Sequence, residues 1–245
     1  MNRRYRFTRD RSLPPTAADA SGAVEYAAEL PAGARLLPPS SPTKIVCVGR
    51  NYPEHARELG NEPPAEPLIF LKPPSSLIAH GDDIVYPPLS QRVDYEGELG
   101  VIIGRRARRV RPSDAWDCIL GFTCVNDVTA RDLQKKDGQW TRGKGFDTFC
   151  AAGPCMVARD AVSLADLRVR TFVNGELKQD GAARDMIFGV NVIIAFVTEF
   201  MTLEPGDLLA TGTPPGVGPM EPGSVVCVDI SGIGRLENCV TGGAA

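Results

Sequence analysis

Short apolar runs broken by glycine and proline set the texture of this chain, and they predict strands joined by tight turns. Ile45-Val46-Cys47-Val48-Gly49 reads as a buried strand, and Pro53–Leu59 as one or two helical turns. Leu68–Leu71 is a short strand and Val93–Gly104 a longer one. Gly121–Asn126 is another strand, running into a helix from about Thr129 to Lys136. In the second half, strands are expected at Arg168–Val173, Leu208–Thr211 and Val225–Ile230. They are separated by turns at Asn174-Gly175, Pro205-Gly206-Asp207 and Pro222-Gly223. A single longer apolar stretch, Val190–Met201, predicts a helix. No repeat of fixed period appears. The pattern gives a β-dominated α+β fold.

Residues 1–43 differ in texture. Ala/Gly-rich stretches and the punctuation Pro38-Pro39-Ser40-Ser41-Pro42 mark a lead segment or small appendage before a domain spanning 44–245. Arg3, Arg4, Arg6, Arg9 and Arg11 precede no apolar run, and Pro14-Pro15 follows, so no secretory signal is expected.

Hydrophobic residues at 43% and charged residues at 23% exclude wholesale disorder. Twenty-seven Lys and Arg against thirty Asp and Glu leave a net charge of −3, which gives no bulk electrostatic case for nucleic acid. The longest uncharged apolar run, Met186–Thr198, falls well short of the ~20 residues a membrane-spanning helix needs. The seven cysteines (Cys47, Cys118, Cys124, Cys150, Cys155, Cys227, Cys239) are odd in number and never spaced CxxC. They read as reduced thiols of a cytoplasmic protein without structural zinc.

Candidate chemistry begins at Glu96 and Glu98. Two residues apart on a strand, they face one side, within an apolar run. Side by side they repel unless a cation shares them; a solvated edge strand is the alternative. Asp127 closes an apolar strand just before a helix, where it is either a third ligand or an N-cap. Three carboxylates together form a hard-oxygen site suited to Mg²⁺ or Mn²⁺.

His55 and Glu58, three apart on a helical turn, are neighbours, either as an oriented base or as a surface contact. His80, beside Gly81 and Asp82, reads as a loop residue without a role. Lys144, in Arg142-Gly-Lys-Gly-Phe146, reads as an exposed lysine either meeting an anionic ligand or solvated. Thr211–Gly218 lacks the GxGxxG and GxxxxGK[ST] phosphate patterns, yet its hydroxyls and N–H groups suit a small carboxylate. Arg105–Arg109 reads as a solvated turn, and no GxSxG elbow is present.

Taken in order, these segments resemble the fumarylacetoacetate hydrolase family. The matching strings are CVGRNYPEHARE (47–58), PLIFLKPPSSL (67–77), DYEGELGVIIG (94–104), VNDVTARDLQ (125–134), KGFDTF (144–149), VNGELKQ (173–179) and EPGDLLATGTPPGVG (204–218). Several motifs in register over about residues 44–236 make the resemblance specific. It implies a mixed β-roll or β-sandwich core, a homodimer, and one divalent metal on Glu96, Glu98 and Asp127. It assigns His55 and Glu58 to water activation on a short mobile helix. Arg50, Arg131, Gln134, Lys144 and Thr213 then surround the carboxylate and oxo groups of a small 2-oxo acid.

Arg50 stands where many bacterial members have leucine, which looks like the acylpyruvate hydrolase and oxaloacetate decarboxylase branch. Ala151-Ala152 replaces a common proline. The implied reaction is metal-dependent cleavage of a carbon–carbon bond in a short 2,4-dioxo acid through a metal-bound enolate. There Lys144 offsets the developing charge. Decarboxylation of oxaloacetate, or isomerisation of a 2-hydroxyhepta-2,4-diene-1,7-dioate type substrate, uses the same site. A catalytically silent binding protein is the reading from a different class, and the intact metal and His–Glu positions speak against it.

Overall fold

The computed structural model describes residues 3–10, 12–15 and 24–242. Arg11, the first Ala/Gly-rich stretch of the lead segment and residues 243–245 lie outside them. Three sheets and four α-helices make up the described chain, and no helix in it is long and apolar enough to cross a membrane.

The largest sheet has ten strands. Its main path runs Glu25–Ala27, Arg3–Thr8, Cys150–Ala158, Ile119–Asp127, Gly97–Ile103, Leu208–Ala210, Ile45–Gly49 and Leu68–Lys72. Arg35–Leu36 joins Arg3–Thr8, and Leu77–Ile78 joins Cys150–Ala158. The described part of the lead segment thus extends one edge of this sheet, with Arg3 opposite Val157 and Arg4 opposite Met156.

A five-stranded sheet (Glu176–Ala182, Arg168–Val173, Val225–Ile230, Gly234–Gly242, Ile84–Tyr86) packs across the large one. Alternation along the central strands explains why both faces are dry. Leu99, Val101 and Ile103 meet Phe122, Val169 and Val228 in one core, while Ile102 meets Ile45, Val125 and Leu208 in a second core. The result is the β-dominated α+β architecture expected.

The run Val93–Gly104 is not one strand. Val93–Tyr95 belongs to a small three-stranded sheet with Thr129–Ala130 and Gly218–Met220, whereas Gly97–Ile103 belongs to the large sheet. Glu96 is the junction. Gly97 is what permits the change of sheet: a Cβ there would lie 2.1 Å from Thr171 Oγ1 and 3.3 Å from Val228.

The expected helix after Asp127 begins two residues late. Thr129–Ala130 pairs with Val93 and Asp94, and the helix runs from Arg131 to Asp137. The helices are α1 (Pro53–Glu58), α2 (Arg131–Asp137), α3 (Thr141–Lys144) and α4 (Val190–Phe200). Cys150–Ala158 and Gly234–Gly242 are long strands without a clean sequence signal, because Gly153 and Pro154 interrupt the first and Arg235, Glu237 and Asn238 interrupt the second.

Candidate active site

One cavity of about 660 Å³ is lined by every residue singled out in the sequence: Arg50, His55, Glu58, Glu96, Glu98, Asp127, Arg131, Gln134, Lys144 and Thr213. The three carboxylates reach it from the large sheet and from its junction with the small one. Glu98 comes from the large sheet, Glu96 from the junction with the small one, and Asp127 from the end of Ile119–Asp127. Antiparallel pairing of Val125 with Glu98 and Asn126 with Gly97 brings the third acid beside the first two. Ligand oxygens of Glu96, Glu98 and Asp127 all lie within 4.8 Å of one another, and all three residues are buried.

Lys144 is not an exposed loop lysine. It ends α3, is 2% exposed, and donates to Glu96 Oε2 at 2.7 Å and Asp127 Oδ2 at 2.6 Å. The acids draw it inward, since an unpaired buried carboxylate costs more than burying a paired lysine. Arg131, at the start of α2, donates to Glu96 Oε1, to Asp94 Oδ2 at 2.9 Å and to Gln134 Oε1 at 2.7 Å. Lys72, at the end of an edge strand, reaches Asp127 Oδ1 at 2.5 Å and Val128 O at 3.0 Å.

Four buried acids (Asp94, Glu96, Glu98, Asp127) therefore face three buried cations (Lys72, Arg131, Lys144). Glu98 is the acid left over: among the described residues it accepts only the Gly212 N–H, at 2.8 Å. Burial, with Asp127 and Glu96 as neighbours, pushes its carboxyl well above the ordinary range. Burial also acts on Glu96, but Lys144 and Arg131 override it and hold that carboxyl below the ordinary range. A further cation beside Glu98 would relieve this imbalance, so the donor set fits a divalent ion bound by hard oxygens.

On α1, His55 Nδ1 lies 3.3 Å from Glu58 Oε2. Glu58 is fixed in turn by the Gly216 N–H, 3.0 Å from Oε1. Burial pushes the His55 imidazole below its ordinary pKa, and the nearby Glu96 and Glu58 offset this only in part. A neutral ring whose Nδ1–H points at Glu58 leaves Nε2 as the basic atom.

Arg50 adopts φ +56°, lies over the Trp140 ring at 5.7 Å, and keeps a buried Nε without a hydrogen-bond partner among the described residues. Thr213 spends its hydroxyl internally: it donates to Gly97 O at 2.8 Å and accepts from Gln179 Nε2 at 2.7 Å.

Lys72, Asp94, Asn126 and Gln179 belong to the site and carry no assignment from the sequence. A lysine closing the apolar strand Leu68–Lys72 is the one local sign that could have revealed Lys72.

Residues 44–241 match the family described as fumarylacetoacetate (FAA) hydrolase C-terminal. The chain belongs to this family. Among its relatives, oxaloacetate tautomerase YisK of Bacillus subtilis is 43% identical over 211 residues, covering 82% of this chain and 70% of that protein. A solved structure named 2-hydroxyhepta-2,4-diene-1,7-dioate isomerase, from Mycobacterium marinum, superposes with a TM-score of 0.85 at 40% identity, covering 100% of both chains. Fumarylpyruvate hydrolase from Pseudomonas aeruginosa, solved with Mn²⁺ and pyruvate, superposes at 0.78 with 31% identity, covering 85% of this chain and 92% of that one. Fumarylacetoacetate hydrolase family members thus include tautomerases, isomerases and hydrolases, and the geometry above has to be weighed among these.

Proposed function

We propose that the protein is a divalent-metal-dependent enzyme that moves a proton beside the 2-oxo group of a short 2-oxo dicarboxylic acid, with keto–enol tautomerisation of oxaloacetate as its reaction. The observation that carries this is a buried His55, held by Glu58 at 3.3 Å, lining the same cavity as the three carboxylates. The names of relatives at 42–46% identity support the choice of substrate.

Glu96, Glu98 and Asp127 would hold Mg²⁺ or Mn²⁺, which when bound supplies Lewis-acid polarisation of the 2-oxo oxygen. His55 Nε2 takes the proton from the carbon beside the carbonyl in the keto form while solvent protonates the 2-oxo oxygen, and in the reverse direction the carbon regains its proton as the enol O–H proton returns to solvent. Glu58 keeps the ring oriented and stabilises it while protonated. The Lys144 ammonium offsets negative charge gathering on the enol oxygen. Arg50, with an unpartnered Nε, takes the distal carboxylate.

Hydrolysis of a 2,4-dioxo acid is the second reading. It is favoured by the anchoring of Glu58 at both oxygens by Gly216, which suits a pair that must hold and deprotonate water. Decarboxylation of oxaloacetate requires no such water.

Ultraviolet assays of enol-oxaloacetate decay, run beside acetylpyruvate hydrolysis and oxaloacetate decarboxylation, test the proposal. Ketonisation should be fastest with Mg²⁺ and fall about 10²–10⁴-fold in kcat in His55→Ala. A protein that hydrolyses acetylpyruvate but leaves enol-oxaloacetate at its spontaneous rate would overturn the tautomerase reading in favour of the hydrolase.

A further inference from the structure

The peptide joining the two glutamates is held by side chains that come from outside both of its strands. Glu96 N–H donates to Asn126 Oδ1 at 3.0 Å. Gly97 N–H donates to Gln179 Oε1 at 3.0 Å, and Gly97 O accepts from Thr213 Oγ1 at 2.8 Å. Gln179 Nε2 closes the ring by donating to Thr213 Oγ1 and to Pro214 O, each at 2.7 Å. Gln179 is 1% exposed and Thr213 2%, and every polar atom of the Gln179 amide is used. Its orientation is fixed as well, because a flipped amide would set oxygen against oxygen at Thr213 or Pro214 and hydrogen against hydrogen at Gly97.

We infer that Gln179 and Thr213 are positioning residues that lock the Gly97 peptide and so set the separation of the Glu96 and Glu98 carboxylates. The Thr213 hydroxyl serves the ligand-bearing backbone and not the substrate. The inference rests on reading Glu96, Glu98 and Asp127 as metal ligands. Its physical basis is the junction itself. Glu98 lies within a strand of the large sheet, whereas Glu96 sits in the junction outside the strands of either sheet, so of the two only Glu98 is placed by a strand ladder. The closed ring of Gly97, Gln179 and Thr213 ties the junction to the five-stranded sheet and to the loop after Leu208–Ala210. Groups that orient metal ligands from behind contribute strongly to affinity.

Mn²⁺ binding to the metal-free protein, followed by electron paramagnetic resonance of the free ion, tests this without an activity assay. Thr213→Val should weaken Mn²⁺ binding by about 10–100-fold. Thr213→Ser, which keeps the hydroxyl, should restore it. At saturating Mn²⁺, Thr213→Val should leave KM for the 2-oxo acid unchanged. Gln179→Met should reproduce the loss of affinity with a native circular-dichroism spectrum, which covers the case in which Thr213→Val does not fold.

Unchanged Mn²⁺ affinity in Thr213→Val with a raised KM would overturn the inference and return the hydroxyl to the substrate. Failure of both variants to fold would overturn it too, since the ring would then serve the fold at large. No Mn²⁺ binding by the wild-type protein would remove the metal reading itself, and the inference with it.

Discussion

Lys72 Nζ lies 2.5 Å from Asp127 Oδ1, and neither side chain reaches solvent. Lys144 takes the other oxygen of the same carboxylate, at 2.6 Å. Asp127 is gripped from both sides, while each of its oxygens keeps a second lone-pair direction for a further ligand. Only Lys144 of these two lysines lines the cavity, so the charge of Lys72 acts on the site from behind.

Replacing that rear cation should be costly to the fold. Lys72→Met strips one partner from a fully buried carboxylate, and urea unfolding of the metal-free protein should show a loss of about 3–5 kcal/mol. A loss below about 1 kcal/mol, the size of an ordinary hydrogen bond, would show that Lys144 alone satisfies Asp127.

Glu98 offers the opposite case. Among the described residues its buried carboxyl has one hydrogen bond and no paired cation, so Glu98→Gln should leave metal-free thermal unfolding nearly unchanged and abolish Mn²⁺ binding in calorimetric titration. Chelation of the wild-type protein should abolish turnover, and added Mg²⁺ should restore it. Retained affinity in Glu98→Gln would remove this residue from the ligand set.

His55 sets a pH dependence whose sign follows from burial. The neutral ring is the base, and burial holds its pKa below the ordinary 6.5. The acid limb of kcat/KM should therefore lie below pH 6.5. Glu58 raises the His55 pKa, so Glu58→Gln should move the limb lower still while reducing kcat. Stability changes with the same sign. The unfolded chain binds the His55 proton at the ordinary value and the folded chain resists it, so stability falls as pH drops through 6.5 towards the folded pKa. A limb above 6.5 in the wild-type protein would exclude His55 as the titrating base.

Gly97 supplies a steric test. Gly97→Ala places a methyl 2.1 Å from Thr171 Oγ1, and overpacking of this kind costs about 1–3 kcal/mol. The Thr171 hydroxyl is buried and has no hydrogen-bond partner among the described residues, so Thr171→Ala removes the obstruction without breaking a bond. The double variant should recover part of the loss, measured as a positive coupling in a double-mutant cycle. Strict additivity would place the strain elsewhere.

What was legible in the sequence was local. His55 and Glu58 sit one helical turn apart, and Glu96 and Glu98 two residues apart, so spacing alone pairs them. Ile45–Gly49 follows from an unbroken apolar run and Val190–Phe200 from a mostly apolar one. The sheet change at Glu96 was hidden because the alternating pattern continues across it, and Thr171, which Gly97 approaches closely there, lies far along the chain. Flanking glycines make Lys144 look solvated, and only the folded position of Glu96 and Asp127 explains its burial. Gln179 stands in a hairpin strand of mostly exposed residues, with nothing near it in sequence to mark it as the partner of Gly97 and Thr213.

Leu208–Ala210 is wedged between Gly97–Ile103 and Ile45–Gly49 in the large sheet, antiparallel to the first and parallel to the second. During synthesis the histidine-bearing segment emerges first, the acids next and the wedge long afterwards. Until it arrives, two apolar strands that will never be neighbours each present a bare edge, the feature most prone to wrong pairing in a growing chain. A ribosome stalled before residue 208 would therefore hold a sticky intermediate with its base and its acids on separate pieces of sheet. Chaperone demand should peak in that window and end when Leu208–Ala210 closes the seam.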